Sequence, residues 1–127
     1  MGKAKVLVVD DESIIRDAVL RILAPLYEVR TCCSGEEALL ASPQDFNILV
    51  TDKKMPGISG LELIQRLRKG GFDGATILMT AAPSEEVRSE LVAYEQCPDM
   101  VLFKPFGYSE LIGAVFDCVA LTQLRAK

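Results

Sequence analysis

Short apolar runs alternate with segments of helical period along this chain, and that alternation restricts its fold more than any other feature. Lys5–Val9 is a β-branched run that ends in Asp10-Asp11-Glu12. Ser13–Leu23 follows, with Ile15, Ala18, Val19, Ile22 and Leu23 on one helical face. Pro25 is compatible with a helix end nearby. Tyr27–Cys32 alternates weakly and reads as a second strand. Ser34-Gly35-Glu36-Glu37 has capping-box spacing for a short helix through Leu40, which Ser42-Pro43 breaks. Ile48–Thr51 is the third strand, and Ser59-Gly60-Leu61-Glu62 is a second capping box opening a helix to about Lys69. Gly70, Gly71 and Gly74 bracket a loop before the fourth strand, Ala75–Thr80. Pro83-Ser84-Glu85-Glu86 starts a helix to about Glu95, with acids in its first turn, and Pro98 closes the connection. Met100–Phe103 is the fifth strand. Tyr108 to about Leu124 is the last helix, with Leu111, Ile112, Val115, Phe116 and Val119 on its core face.

A strand–helix unit repeated in this way implies a parallel sheet covered on both faces. Right-handed crossovers leave few topologies. The expectation is an α/β fold: a single (βα)5, flavodoxin-like, doubly wound domain over residues 1–127, with a parallel five-stranded sheet of order 2-1-3-4-5. A chain of 127 residues, half of them hydrophobic and a quarter charged, suits one globular core.

Several function classes drop out. A net charge of −4 gives no electrostatic footprint for direct nucleic-acid binding or for an anionic membrane. No apolar run is long enough to cross a bilayer, no signal peptide opens the chain, and Val6 stands where a myristoylation motif needs Ser or Thr. A cytoplasmic location is expected. Cys32, Cys33, Cys97 and Cys118 lack CxxC spacing and read as reduced thiols. The chain has no histidine, which excludes an imidazole base or triad. If phosphoryl groups move through histidine here, that histidine belongs to another protein.

The strand ends carry the chemistry. Strands one, three, four and five end in Asp10-Asp11, Asp52, Thr80 and Lys104, all expected on one edge, the edge where open α/β sheets bind ligands. Clustered carboxylates repel one another unless they share a cation. Hard oxygen donors suit Mg²⁺, which favours a phosphate partner. An aspartate carboxylate can act as a nucleophile on phosphorus. A lysine and a hydroxyl can then hold the phosphoryl oxygens.

The motifs Val-Leu-Val-Val-Asp-Asp-Glu at 6–12, Thr-Asp-Lys-Lys-Met-Pro-Gly-Ile-Ser-Gly at 51–60, Ile-Leu-Met-Thr-Ala at 77–81 and Phe-Lys-Pro-Phe at 103–106 occur in this order. In that combination the chain resembles, nearly end to end, the receiver domain of two-component response regulators. The resemblance implies that Asp52 accepts a phosphoryl group from the phosphohistidine of a histidine kinase or phosphotransfer protein. It implies Mg²⁺ ligation by Asp11, Asp52 and the Lys54 backbone carbonyl, with Asp10 acting through a metal-bound water. Lys104 would pair with Asp52 and then with the phosphoryl group, and Thr80 would move to hydrogen-bond it. The Lys104–Pro105 peptide is expected to be cis. The phosphorylated state would alter the surface of the fourth helix, fifth strand and fifth helix, read by a downstream effector domain or protein. Homodimerisation through those helices stays open, as does whether the chain works alone or as part of a longer regulator or hybrid kinase.

The chain also departs from the family pattern. Val101 stands at the switch position, where an aromatic ring is usual, so either the switch runs through backbone and loop shifts or its amplitude is small. Lys53 follows the acceptor where an apolar residue is usual. Lys53 and Lys54 are either a solvated pair or candidates to tune the lifetime of the phosphoryl group. Tyr94–Pro98 replaces the family's small residues before strand five, and Gly107 stands where a capping aspartate is common. The alternatives are a degenerate receiver used only for binding, a phosphatase with an aspartate nucleophile and a flavodoxin. The phosphatase expects a second aspartate two residues beyond the nucleophile, where this chain has Glu12 or Lys54. The flavodoxin wants a phosphate-cradling loop after strand one, where Asp10-Asp11-Glu12 would repel phosphate. A receiver is not an enzyme with its own external substrate; it assists only its own phosphorylation and dephosphorylation.

Overall fold

A computed structural model describes residues 3–81 and 98–125. The strands are β1 (Lys5–Val9), β2 (Glu28–Cys32), β3 (Ile48–Asp52), β4 (Ala75–Thr80) and β5 (Met100–Phe103). The helices are α1 (Ser13–Leu23), α2 (Gly35–Leu39), α3 (Gly60–Lys69) and a last helix, Tyr108–Arg125, with a 3-10 turn at Pro43–Asp45. All neighbouring strands pair in parallel, in the order β2-β1-β3-β4-β5. This is the expected doubly wound topology. The expected helix from Pro83 to Glu95 and Cys97 lie outside the described residues.

The sheet separates two cores. On one face Val6, Val8, Ile48, Val50, Ile77 and Met79 pack with Val19 and Leu23 of α1 and Leu111 and Val115 of the last helix. On the other, Leu7, Val9, Leu49 and Leu78 pack with Ala38 of α2 and Leu61, Ile64 and Leu67 of α3. Successive strand residues point to opposite faces. The central strands β3 and β4 are buried at every position, which is why they read as continuous apolar runs.

Both serine caps form as expected. Ser34 accepts from the Glu37 N–H at 3.0 Å and Ser59 from the Glu62 N–H at 3.2 Å. Neither glutamate is seen to reach back to its cap: Glu37 accepts from the Cys33 thiol, and Glu62 pairs with Arg66 one turn on. One core assignment is corrected. Phe116 is exposed, while Ala114 and Cys118 join Leu111 and Val115 at the sheet. Each helical residue turns about 100° from the last, so Phe116 sits off the stripe that Val115 centres. Strand two begins at Glu28 rather than Tyr27, and β3 runs on through Asp52. Cys32 and Cys118 are buried thiols, each pushed up to about 11 chiefly by burial, while Cys33 is exposed.

Candidate functional site

The register of the sheet decides what meets at its carboxyl edge. Val9 pairs with Thr51, Asp52 with Met79, and Thr80 with Phe103. Asp10, Asp52, Thr80 and Lys104 therefore end their strands side by side. The Lys53 N–H extends the ladder to the Met79 carbonyl at 2.8 Å, and the Lys104 N–H does the same to Thr80 at 2.7 Å. Helix α3 starts hard against the end of β3. A Cβ on Gly60 would lie 2.2 Å from the Asp52 carbonyl oxygen, so only glycine fits there. Gly57, at φ +82°, turns the loop in the left-handed region, beside the Glu36 carboxylate.

Lys104 ties the site together. Its ammonium donates to Asp52 Oδ1 at 2.9 Å and to Asp10 Oδ2 at 3.3 Å. Asp10 is wholly buried, and Asp52 and Thr80 are nearly so. The pair is electrostatically uneven. Burial, the largest influence, raises the Asp52 carboxyl; Asp10 and Asp11 add to that rise, and together they outweigh the hydrogen bond and charge of Lys104. Burial also disfavours the Lys104 cation, but its hydrogen bond to Asp52 and the charges of both carboxylates prevail and hold its pKa above the ordinary value. Asp52 is thus a desolvated carboxylate paired with the Lys104 ammonium, at the end of a buried central strand. The Lys104–Pro105 peptide is cis, as expected.

A family model described as "Response regulator receiver domain" matches residues 6–116. The chain belongs to the response regulator receiver family. Among its relatives, the "Probable transcriptional regulator ycf27" of Pyropia yezoensis is 39% identical over 111 residues, covering 86% of this chain and 44% of the relative. "Response regulator MprA" of Mycobacterium ulcerans (strain Agy99) is 33% identical over 124 residues, covering 95% and 52% respectively. The chain spans about half the length of the curated relatives it matches. Of solved structures, the chemotaxis protein CheY4 of Vibrio cholerae superposes with a TM-score of 0.82 at 30% identity, covering 92% of this chain and 99% of that one. A receiver domain protein of Clostridium thermocellum gives 0.83 at 27% identity, covering 95% and 98%.

Receivers bind Mg²⁺ at an acidic pocket, and the donor set of this receiver fits such an ion. Ligand oxygens of Asp10, Asp11 and Glu12 all lie within 4.8 Å of one another, with Asp11 and Glu12 open to solvent. These are hard oxygen donors of the kind Mg²⁺ takes. Asp52 is not one of that trio, although Asp10 and Asp11 are the carboxylates that raise it. The loop after Asp52 does not hold a solvated lysine pair. Lys53 is buried, while Lys54 is exposed. Val101 is half-buried on β5, paired with Leu78.

Three groups of this receiver carry no role in the sequence reading. Glu12 completes the acid trio. Arg16 reaches back to the Asp10 carbonyl at 2.8 Å. At the opposite edge of the sheet, Asp99 accepts from Arg68 at 3.0 Å, from the Thr76 N–H at 2.9 Å and from Arg125. Glu12 was visible as the third acid in a row. Arg16 and Asp99 meet their partners through the fold, and nothing in their local pattern marks them.

Proposed function

We propose that this chain is a phosphoacceptor switch of a two-component phosphorelay, with Asp52 as the acceptor. The observation that carries this reading is the Asp52–Lys104–Asp10 arrangement at the carboxyl edge of the sheet, two buried carboxylates held by the Lys104 ammonium. The donor is a phosphohistidine of a partner histidine kinase or phosphotransfer protein, and these 127 residues include no histidine of their own. An Asp52 oxygen attacks phosphorus in line. The phosphorus–nitrogen bond breaks, its electron pair stays on the donor imidazole, and an aspartyl-phosphate forms.

The chain's own residues serve that transfer. Lys104 leaves its contact with Asp52 for a phosphoryl oxygen, balancing charge without giving up a proton. Thr80 donates its hydroxyl to another phosphoryl oxygen. Asp11, Asp52 and the Lys54 carbonyl, with Asp10 through water, would hold Mg²⁺, which would supply positive charge for the phosphoryl oxygens. Glu12 lies close enough to join them. Val101 has no ring to rotate, so either the switch runs through backbone and loop shifts or its amplitude is small. A downstream effector domain or protein reads the change, and a cytoplasmic location follows from this role.

The test uses Mg²⁺ and acetyl phosphate as a small donor. A labile phosphate adduct on intact protein, seen by mass spectrometry and lost in Asp52→Asn, is expected. No adduct from acetyl phosphate or from a phosphorylated kinase would sink the reading and leave a binding module. Sustained turnover of many phosphate esters would instead indicate a phosphatase.

A further inference from the structure

Every polar group of Asp10 is engaged. Its N–H donates to the Cys32 carbonyl at 3.1 Å. Its Oδ1 accepts from the Glu12 N–H at 2.9 Å, and its Oδ2 from Lys104 at 3.3 Å. Its own carbonyl accepts from the Arg16 guanidinium at 2.8 Å, a bond that comes from six residues further along, on α1. The Glu12 side chain, at the helix N-cap, makes no capping bond. The turn from buried Asp10 to exposed Asp11 is therefore restrained by the Asp10 carboxylate and by Arg16. The carbonyl that Arg16 holds belongs to the Asp10–Asp11 peptide. That peptide is planar, so holding its oxygen restrains the plane from which Asp11 departs.

We propose that Arg16 is a positioning residue of the divalent-cation site: its bond to the Asp10 carbonyl sets the Asp10–Asp11 peptide and so holds the Asp11 carboxylate beside those of Asp10 and Glu12. The inference rests on the reading of these acids as the Mg²⁺ site. Charge and position pull in opposite directions, which makes the idea testable. A guanidinium next to the acids repels an arriving cation, so on Coulomb grounds alone its removal tightens Mg²⁺ binding. If position governs, its removal weakens binding although a positive charge has gone. Groups that orient metal ligands cost roughly 10- to 100-fold in affinity when lost.

The experiment titrates Mg²⁺ into wild-type, Arg16→Met and Arg16→Lys protein by calorimetry, following the amide NMR shifts of residues 10–12 in parallel. Arg16→Met keeps the apolar stem and removes donor and charge; Arg16→Gln replaces it if that variant does not fold. The Met variant is expected to bind Mg²⁺ about tenfold more weakly. The Lys variant, with a donor and a charge, is expected closer to wild type than to Met. Binding by Arg16→Met as tight as wild type or tighter overturns the proposal, and so does Arg16→Lys no better than Arg16→Met. A wild-type protein without saturable Mg²⁺ binding overturns the cation-site reading itself, and this inference with it.

Discussion

Asp52 is held in a state that costs stability. Its carboxyl is raised above its unfolded value, first by burial and then by Asp10 and Asp11. An acid with a raised folded pKa binds more protons folded than unfolded as pH climbs through that window, so stability falls there and stays lower at neutral pH. Asp52→Asn removes that cost while leaving an oxygen for Lys104, which keeps Asp10 as well. The variant should melt higher than wild type at pH 7 without Mg²⁺, with the gain shrinking as pH drops towards 4. Thermal scans across pH check it; a lower melting temperature at pH 7 would show that the Lys104–Asp52 bond outweighs desolvation. Beside Asp52, Lys54 is the exposed cation of the loop. If it shields the phosphoryl group from water, Lys54→Ala shortens the aspartyl-phosphate lifetime, and an unchanged lifetime removes that role. Asp52, Thr80 and Lys104 were legible in the sequence because each ends an apolar run, so strand pairing alone aligns them. Arg16 was not, because a side chain reaching back to a carbonyl follows no periodicity. Lys53 misled for a related reason: a lysine in a loop reads as solvated, yet the position is buried by the fold around it.

Among elements, the unforeseen feature is the clamp at the amino edge of the sheet. Asp99, just before β5, binds Arg68 of α3, Arg125 of the last helix and the N–H of Thr76 on β4. Arg68 also donates to the Phe72 and Gly74 carbonyls and lies 5.4 Å from the centre of the Phe72 ring. One carboxylate thus joins helices that cover opposite faces. Burial pushes Asp99 up, but the Arg125 hydrogen bond, the Thr76 N–H and both arginine charges leave it below the ordinary carboxylate value. An acid with a depressed folded pKa contributes stability above its unfolded value, about 3.9, and loses it as pH falls through the folded value. Asp99→Asn should therefore cost about 2–3 kcal/mol at pH 7, because two guanidinium groups lose their charged partner. The deficit should narrow below pH 4. Urea midpoints measured across pH decide this; a deficit that does not change with pH would place the contribution in packing. The strand and helix pattern itself was readable from periodicity, whereas Phe116 shows the limit. Near the middle of a mostly apolar helix many stripes look equally good, and only the sheet chooses one.

At the scale of the molecule, the two cores share β1, β3 and β4, so neither helical layer holds its strands independently. This predicts one cooperative unfolding transition, with the acid trio at one edge and the Asp99 clamp at the other feeding into it. The topology that couples them was legible, since parallel strands with right-handed crossovers leave few orders. What the strand order does not reveal is how strongly an edge site moves the whole. A cation that binds only the folded state adds stability by mass action, about 2.7 kcal/mol at a hundred times its dissociation constant. For a domain of this size that is a rise in melting temperature of roughly 10 °C. Wild-type protein scanned by calorimetry should show one peak that Mg²⁺ moves upward as a unit, and Asp11→Asn should lose most of that shift. Asp99→Asn should melt lower yet respond to Mg²⁺ as wild type does, because its change lies at the far edge and, among the described residues, shares no hydrogen-bond partner with the acids. Two peaks, of which Mg²⁺ moves one, would mean that the layers unfold separately. A Mg²⁺ response lost in Asp99→Asn would mean that the two edges are coupled through more than shared stability.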